Sequence, residues 1–131
     1  MQIQWYPGHM HKASKEIRQA LPDIDLLIEV LDARIPFSSQ NPMLQNLRGD
    51  KPTIRLLNKS DLADPDITRF WQQHFEQELS VKTMAVTNSS PDKIKRVIDL
   101  CKKMLPEKME ANKVIRCMIM GIPNVGKSTI I

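Results

Sequence analysis

Three apolar runs, each closing on a short polar loop, constrain this chain more than any other feature. Asp25 to Leu31 (DLLIEVL) leads into DARIP, Thr53 to Leu57 (TIRLL) into NKSD, and Lys113 to Met120 (KVIRCMIM) into GIPNVGKST. A weaker run, Lys82 to Val86, leads into TNSS. Strands that are apolar almost without interruption are buried on both faces, as in a parallel sheet. The segments between them read as helices. Asp64 to Glu78 opens with an Asp cap and Pro65 in the first turn, and Ile67, Phe70, Trp71 and Phe75 recur at helical spacing. Ser90 to Leu105 begins Ser-Pro, aligns Ile94, Val97, Ile98, Cys101 and Leu105 on one face, and is predicted to stop at Pro106. Glu107 to Asn112 reads as a charged connector. Strands alternating with helices predict an α/β fold, a doubly wound and mostly parallel sheet with helices on both faces.

With 131 residues, 41% of them hydrophobic, the chain is predicted to form one domain over 1–131 and to bury a core. Nineteen Lys and Arg against fifteen Asp and Glu give a formal charge of +4, a mild basic bias compatible with a nucleic-acid partner. Two cysteines, Cys101 and Cys117, are too few for a disulfide scaffold and lack zinc-site spacing, so both read as reduced core residues. Gln2 to His9 alternates polar and apolar residues instead of forming a signal-peptide core. The longest apolar stretch, Leu26 to Leu31, is broken by Glu29 and is far too short for a membrane span. A soluble, cytoplasmic domain is the expectation.

Residues 9–21 read as a basic N-terminal helix. Met10, Ala13, Ile17 and Leu21 line one face, and Lys12, Lys15 and Arg18 line another. That basic side suits either open solvent or RNA phosphates.

Gly121 to Ser128 fits the phosphate-loop pattern G-x-x-x-x-G-K-[ST] and directly follows a predicted strand. Gly121 and Gly126 let the backbone turn sharply and approach phosphates with no Cβ in the way. Loop amides and the following helix N-terminus then aim partial positive charge at the anion. Lys127 reaches the β- and γ-phosphates in this reading, and the Ser128 hydroxyl ligates Mg2+. A chance match in a chain this long has a probability on the order of half a percent, so a Gly-containing surface turn is the weaker reading.

Asn58, Lys59 and Asp61 of NKSD close a predicted strand, where ligands bind in open α/β sheets. An Asp carboxylate there can accept hydrogen bonds from guanine N1–H and its 2-amino group. Adenine presents no such pair, so the carboxylate would be left unpaired. Asn58 would hold N7 and brace the loop, and the Lys59 stem would cover the face of the base. Alone, N-K-x-D is a weak signal that also describes a polar strand-to-helix turn. Beside a phosphate loop it favours guanine nucleotides over the ATP of a small P-loop kinase.

In an ordinary GTPase the phosphate loop comes first and the guanine loop later. Here NKSD precedes TNSS, and both precede GIPNVGKST. With QWYPGHM at Gln4 to Met10, DARIP at Asp32 to Pro36 and SSQNP at Ser38 to Pro42, the sequence resembles the circularly permuted GTPases of the YlqF/RbgA type. The resemblance spans nearly the whole chain. It implies a GTPase that uses GTP/GDP and Mg2+ and acts in assembly of the large ribosomal subunit. GTP-dependent contacts to that precursor, both rRNA and ribosomal proteins, follow from it.

Residue by residue, the resemblance gives His9 in PGHM a part in orienting or deprotonating water, in place of the usual catalytic Gln; otherwise His9 caps the N-terminal helix. Asn124 matches a position at which related GTPases coordinate K+, which can neutralise charge where no arginine finger exists. Val125, Gly126, Lys127, Ser128 and Thr129 fall on the phosphate loop. Asn88 and Ser89, in TNSS, match the segment whose amides contact guanine O6, although TNSS departs from the common S-A-K form. DARIP is expected to fix the loop beside the nucleotide, with Asp32 at a strand end. Family members continue with a magnesium-linked switch Thr, a D-x-x-G loop and an RNA-contacting domain, none of which precedes Ile131. The chain is therefore expected to be a truncated, monomeric piece with little or no hydrolysis alone; the alternative is a non-hydrolysing guanine-nucleotide or RNA-binding fragment. The strand order is expected to run 113–120, 25–31, 53–57, 82–86, with the outer flank of 113–120 left open.

Overall fold

The computed structural model describes residues 3–7, 14–37, 46–87, 89, 91–110 and 114–121. Among these residues five strands form one sheet: β1 (Ile3–Pro7), β2 (Leu26–Asp32), β3 (Thr53–Asn58), β4 (Val81–Ala85) and β5 (Ile115–Gly121). Their spatial order is β1-β5-β2-β3-β4, and every pairing is parallel. The expected order of the four inner and right-hand strands holds. Each of the seven residues of β2 and the six of β3 is buried, which is why both read as continuous apolar runs.

The outer flank of β5 is not open, as expected from the sequence, but carries β1. Ile3 pairs with Ile115 and Pro7 with Ile119. Residues Ile3–Pro7, within the alternating stretch, are themselves a strand, and their backbone completes the ladder along β5.

The helices are α1 (Ser14–Ala20), α2 (Pro65–Phe75), α3 (Lys93–Met104) and α4 (Pro106–Glu110). Residues alternate across the sheet, so one set faces each helical layer. Leu26, Ile28, Val30, Ile54, Leu56, Ile115, Cys117 and Ile119 pack with Val97 and Cys101 of α3. On the opposite face Leu27, Met118 and Met120 meet Ile17 and Leu21, and Leu31 and Leu57 meet Phe75 of α2. The three-layer arrangement follows. Burying each such side chain stabilises the fold by about 1.5–3 kcal/mol relative to exposure.

Asp64 caps α2 as read from sequence: its Oδ1 accepts from Asp66 N at 2.8 Å and Ile67 N at 3.4 Å, and Pro65 follows. The apolar stripe of α2 is wider than its contact with the sheet. Phe75 is buried, whereas Ile67 and Phe70 stay 53% and 57% exposed. Trp71 lies between, with Phe37 of the turn after β2 at 6.2 Å between ring centroids. Pro106 does end α3, but it also begins α4, because its missing N–H and fixed φ suit a first helical turn. The segment read as a connector is thus partly helical. Of the proposed helix over 9–21, residues 14–20 are α-helical and Leu21–Asp23 form a 3-10 turn. Ile17 is buried and Arg18 exposed. Met10, Lys12 and Ala13 lie outside the described residues.

The amino-terminal edge of the sheet is tied down by side chains. Arg48 donates from Nε to Thr53 Oγ1 at 2.9 Å and from Nη2 to the carbonyl of Leu79 at 2.9 Å. Asp25 Oδ2 accepts from Arg116 N at 2.9 Å. The opposite edge ends in loops.

Candidate nucleotide-binding site

Because the sheet is parallel, the carboxyl ends of all five strands share one edge. Asp32 pairs with Asn58, Leu57 with Ala85, Val30 with Gly121, and Pro7 with Ile119. Gly121 therefore opens the GIPNVGKST segment two strands from Asn58. Adjacent strands lie about 4.8 Å apart, so the two loops begin roughly 10 Å from each other along this edge. That distance suits a ligand with a flat ring at one end and phosphates at the other.

Asn58 is fully buried as the last residue of β3. The next residue, Lys59, has left-handed backbone angles, φ 61° and ψ 34°. Ser60 to Leu62 then form a 3-10 turn on which Asp61 is exposed. Neighbouring backbone holds this loop from both sides. Ala33 N donates to Asn58 O at 2.8 Å, and Ser60 N donates to Val86 O at 3.1 Å. A non-glycine residue with positive φ costs on the order of 1 kcal/mol or more, and persists where its surroundings over-determine it.

Asp32 sits beside this loop, 5% exposed. Its Oδ1 accepts from Arg34 N at 2.9 Å and Arg34 Nε at 3.0 Å; its Oδ2 accepts from Arg34 Nη2 at 2.7 Å. Lys59 Nζ stands 3.7 Å from the same Oδ2. The hydrogen bonds from Arg34 hold the Asp32 carboxyl below the usual carboxylate range, against its own burial, and the charge of Lys59 acts in the same direction.

Of the residues singled out from sequence, Asn58, Lys59 and Asp61 come together on one loop. Ser89 is exposed nearby in chain order, with its Oγ 3.3 Å from Thr87 Oγ1. His9, Asn88, Asn124, Val125, Gly126, Lys127, Ser128 and Thr129 lie outside the described residues. Among the described residues no group of three His, Cys, Asp or Glu could hold a metal ion, and no helix is long and apolar enough to cross a membrane. The sequence reading gave Arg34 no role. The signal was an Asp followed two residues later by Arg at a strand end, where a turn folds one onto the other.

A parallel α/β sheet with an N-K-x-D loop and the opening glycine of a phosphate loop on one edge is the architecture of a P-loop nucleotide-binding domain, here with its loops in permuted order. Its relatives are named accordingly. Ribosome biogenesis GTPase A of Bacillus pumilus is 46% identical over 138 residues, covering 100% of this chain and 49% of that protein. The protein of the same name from Bacillus licheniformis is 44% identical, with 100% and 48% covered. Mitochondrial ribosome-associated GTPase 1 of Mus musculus is 40% identical over 144 residues, with 97% and 40% covered. The chain is a homologue of the ribosome biogenesis GTPase A proteins along its whole length, and it spans about half the length of the curated relatives it matches. No family model matches it.

Proposed function

We propose that this chain is the guanine-nucleotide-binding part of a GTPase that acts in the cytoplasm in assembly of the large ribosomal subunit. In this reading its GTP-bound state binds the precursor, through rRNA and ribosomal proteins. The observation that carries the proposal is the buried-to-exposed run Asn58, Lys59, Asp61 on the edge that also bears Gly121. The names of the relatives support the ribosomal setting.

Asp61 accepts the guanine N1–H and 2-amino donors, Asn58 braces the loop and meets N7, and the stem of Lys59 covers the base. Amides around Asn88 and Ser89 face guanine O6. Val125, Gly126, Lys127, Ser128 and Thr129 cradle the phosphates through backbone amides and the Lys127 ammonium. The donor set suits hard cations: the Ser128 hydroxyl is an oxygen ligand of the kind Mg2+ takes, and the Asn124 carbonyl one that K+ takes. Bound there, such cations supply charge neutralisation at the β- and γ-phosphates. β1 ends at Pro7 beside β5, and His9 follows two residues on. We assign it the orientation of the attacking water, for which a neutral imidazole can accept a proton.

Calorimetric titration with GDP, a non-hydrolysable GTP analogue and ATP, in Mg2+ with K+ or Na+, tests the reading. Guanine-selective binding is expected, and the change Asp61→Asn is expected to abolish the selectivity. Guanine preference that survives this change would falsify the base-recognition assignment.

A further inference from the structure

We propose that Asp32 is a positioning residue for base recognition: anchored by Arg34, it draws the ammonium of Lys59 to the end of β2 and so lays the lysine stem across the nucleotide-facing edge. The inference rests on the guanine-nucleotide reading above and adds a residue outside the N-K-x-D motif to it.

The geometry forms a relay of three side chains. Arg34 grips the Asp32 carboxylate with its Nε, its Nη2 and its own backbone N–H, so both oxygens are fixed. Lys59 Nζ then stands 3.7 Å from Oδ2, the oxygen that also takes the end of the guanidinium. The side chains are 47%, 7% and 20% exposed for Arg34, Asp32 and Lys59, so the relay runs from solvent into a sheltered carboxylate and back to the loop. The backbone of Lys59 is fixed independently, by its left-handed angles and by the bonds from Ala33 and Ser60 on either side. A lysine held at both ends has little rotamer freedom left to lose when a base arrives, and that pre-organisation raises affinity without a new contact. A flexible lysine on an exposed turn would have to be ordered at the moment of binding.

The chemistry separates this role from that of Asp61. Asp61 reads the edge of the base through hydrogen bonds, so its loss changes which base is chosen. Asp32 acts through a stem that covers the face of the base, and every purine has a similar face. Its loss should weaken GDP and IDP, which lacks the 2-amino group, by the same factor.

The test is a double-mutant cycle on the full chain, with Kd for GDP and IDP measured by calorimetry for Asp32→Asn, Lys59→Met and the pair. Each single change is expected to raise Kd for GDP about ten-fold, and the pair no further than about ten-fold, because both remove one interaction. The ratio of the GDP and IDP constants should stay fixed in Asp32→Asn. Additive losses, an unchanged Kd in Asp32→Asn, or a shifted GDP to IDP ratio would each overturn the proposal. Asp32→Glu, which keeps the charge, is expected to bind within about three-fold of the parent. Should Asp32→Asn not fold, Arg34→Ala decides the matter. It releases the carboxylate without touching Asp32 or Lys59, and a rise in Kd of about two- to five-fold supports the relay, whereas no change refutes it. If the unaltered chain shows no preference for GDP over ATP, it is the guanine-nucleotide reading that fails, before the cycle begins.

Discussion

Arg55 of β3 and Glu29 of β2 stand opposite each other in register, with Nε 3.1 Å from Oε1 and neither side chain more than 1% exposed. Arg55 also meets Glu78 at the surface end of the cluster, and its guanidinium carbon lies 4.9 Å from the centroid of Phe75. One guanidinium nitrogen, Nη2, has no hydrogen-bond partner among the described residues. The ring of Phe75 offsets part of that deficit through cation–π attraction. Removing one partner takes away the closest counter-charge of the other buried group, so Arg55→Met or Glu29→Leu alone should destabilise the fold, by up to about 3–5 kcal/mol. The pair Glu29→Leu with Arg55→Met should recover most of the loss, since an apolar pair of similar volume avoids desolvating two ions. Urea unfolding of the three variants measures both. A double variant as unstable as the singles would mean that the ion pair itself stabilises this sheet.

Among the described residues, two carry positive φ without being glycine, and they separate strain that serves a site from strain that serves a turn. Ser80 has φ 62° in the exposed turn before β4, and Lys59 has φ 61° in the base-recognition loop. Glycine occupies this region without a Cβ clash, though it also gains entropy in the unfolded chain. Ser80→Gly should leave stability unchanged or raise it by up to about 1 kcal/mol, with nucleotide affinity untouched. Lys59→Gly should be equally mild in thermal melts yet weaken GDP about ten-fold or more, because the stem over the base is gone. Equal affinities for the two glycine variants would remove Lys59 from the site.

Much of the fold is legible in the sequence. Runs such as DLLIEVL and TIRLL announce strands buried on both faces, and β5, β2, β3 and β4 lie in the order expected for them. β1 escaped because alternation reveals a strand but not its partner, and Ile3 meets Ile115 from the other end of the chain. Periodicity likewise marked Ile67 and Phe70 as apolar on α2, yet whether the sheet reaches that far depends on where the helix docks. The loop Asn58, Lys59, Asp61 was legible from residue type and spacing alone. The contact between Asp32 and Lys59 was not, because it depends on a register that aligns the ends of two strands separated by a long connection.

The pH dependence of stability should carry the mark of Asp32. Its carboxyl titrates below the ordinary range in the folded chain, because the Arg34 hydrogen bonds favour the charged form. A carboxyl depressed on folding contributes stability that is complete above its unfolded value, about 3.9, and is lost as pH falls through the lower folded value. Urea unfolding between pH 6 and pH 2.5 should therefore show the gap between the parent and Asp32→Asn narrowing as the pH drops below about 4. A constant gap over that range would show that the carboxylate is no more stable in the fold than in the open chain.

Cys101 of α3 and Cys117 of β5 meet where the helix packs on the sheet, and both are fully buried. The hydrogen bond with the Cys101 thiol, and then burial, push Cys117 up, away from the thiolate form that reacts. Neither thiol can be alkylated until the α3 layer opens, so labelling reports the population of that opening. For an opening free energy of about 5 kcal/mol, the rate should fall on the order of 10³- to 10⁴-fold below that of a free cysteine. Nucleotide that binds only the closed form adds its own linkage, about 2.7 kcal/mol at a hundred times Kd, which slows labelling roughly a further hundred-fold. GDP at that excess should thus protect both cysteines while ATP at the same concentration does not. Protection by GDP alone would tie the carboxyl-edge loops to the stability of the whole sheet; no protection would mean that α3 opens without disturbing the nucleotide site.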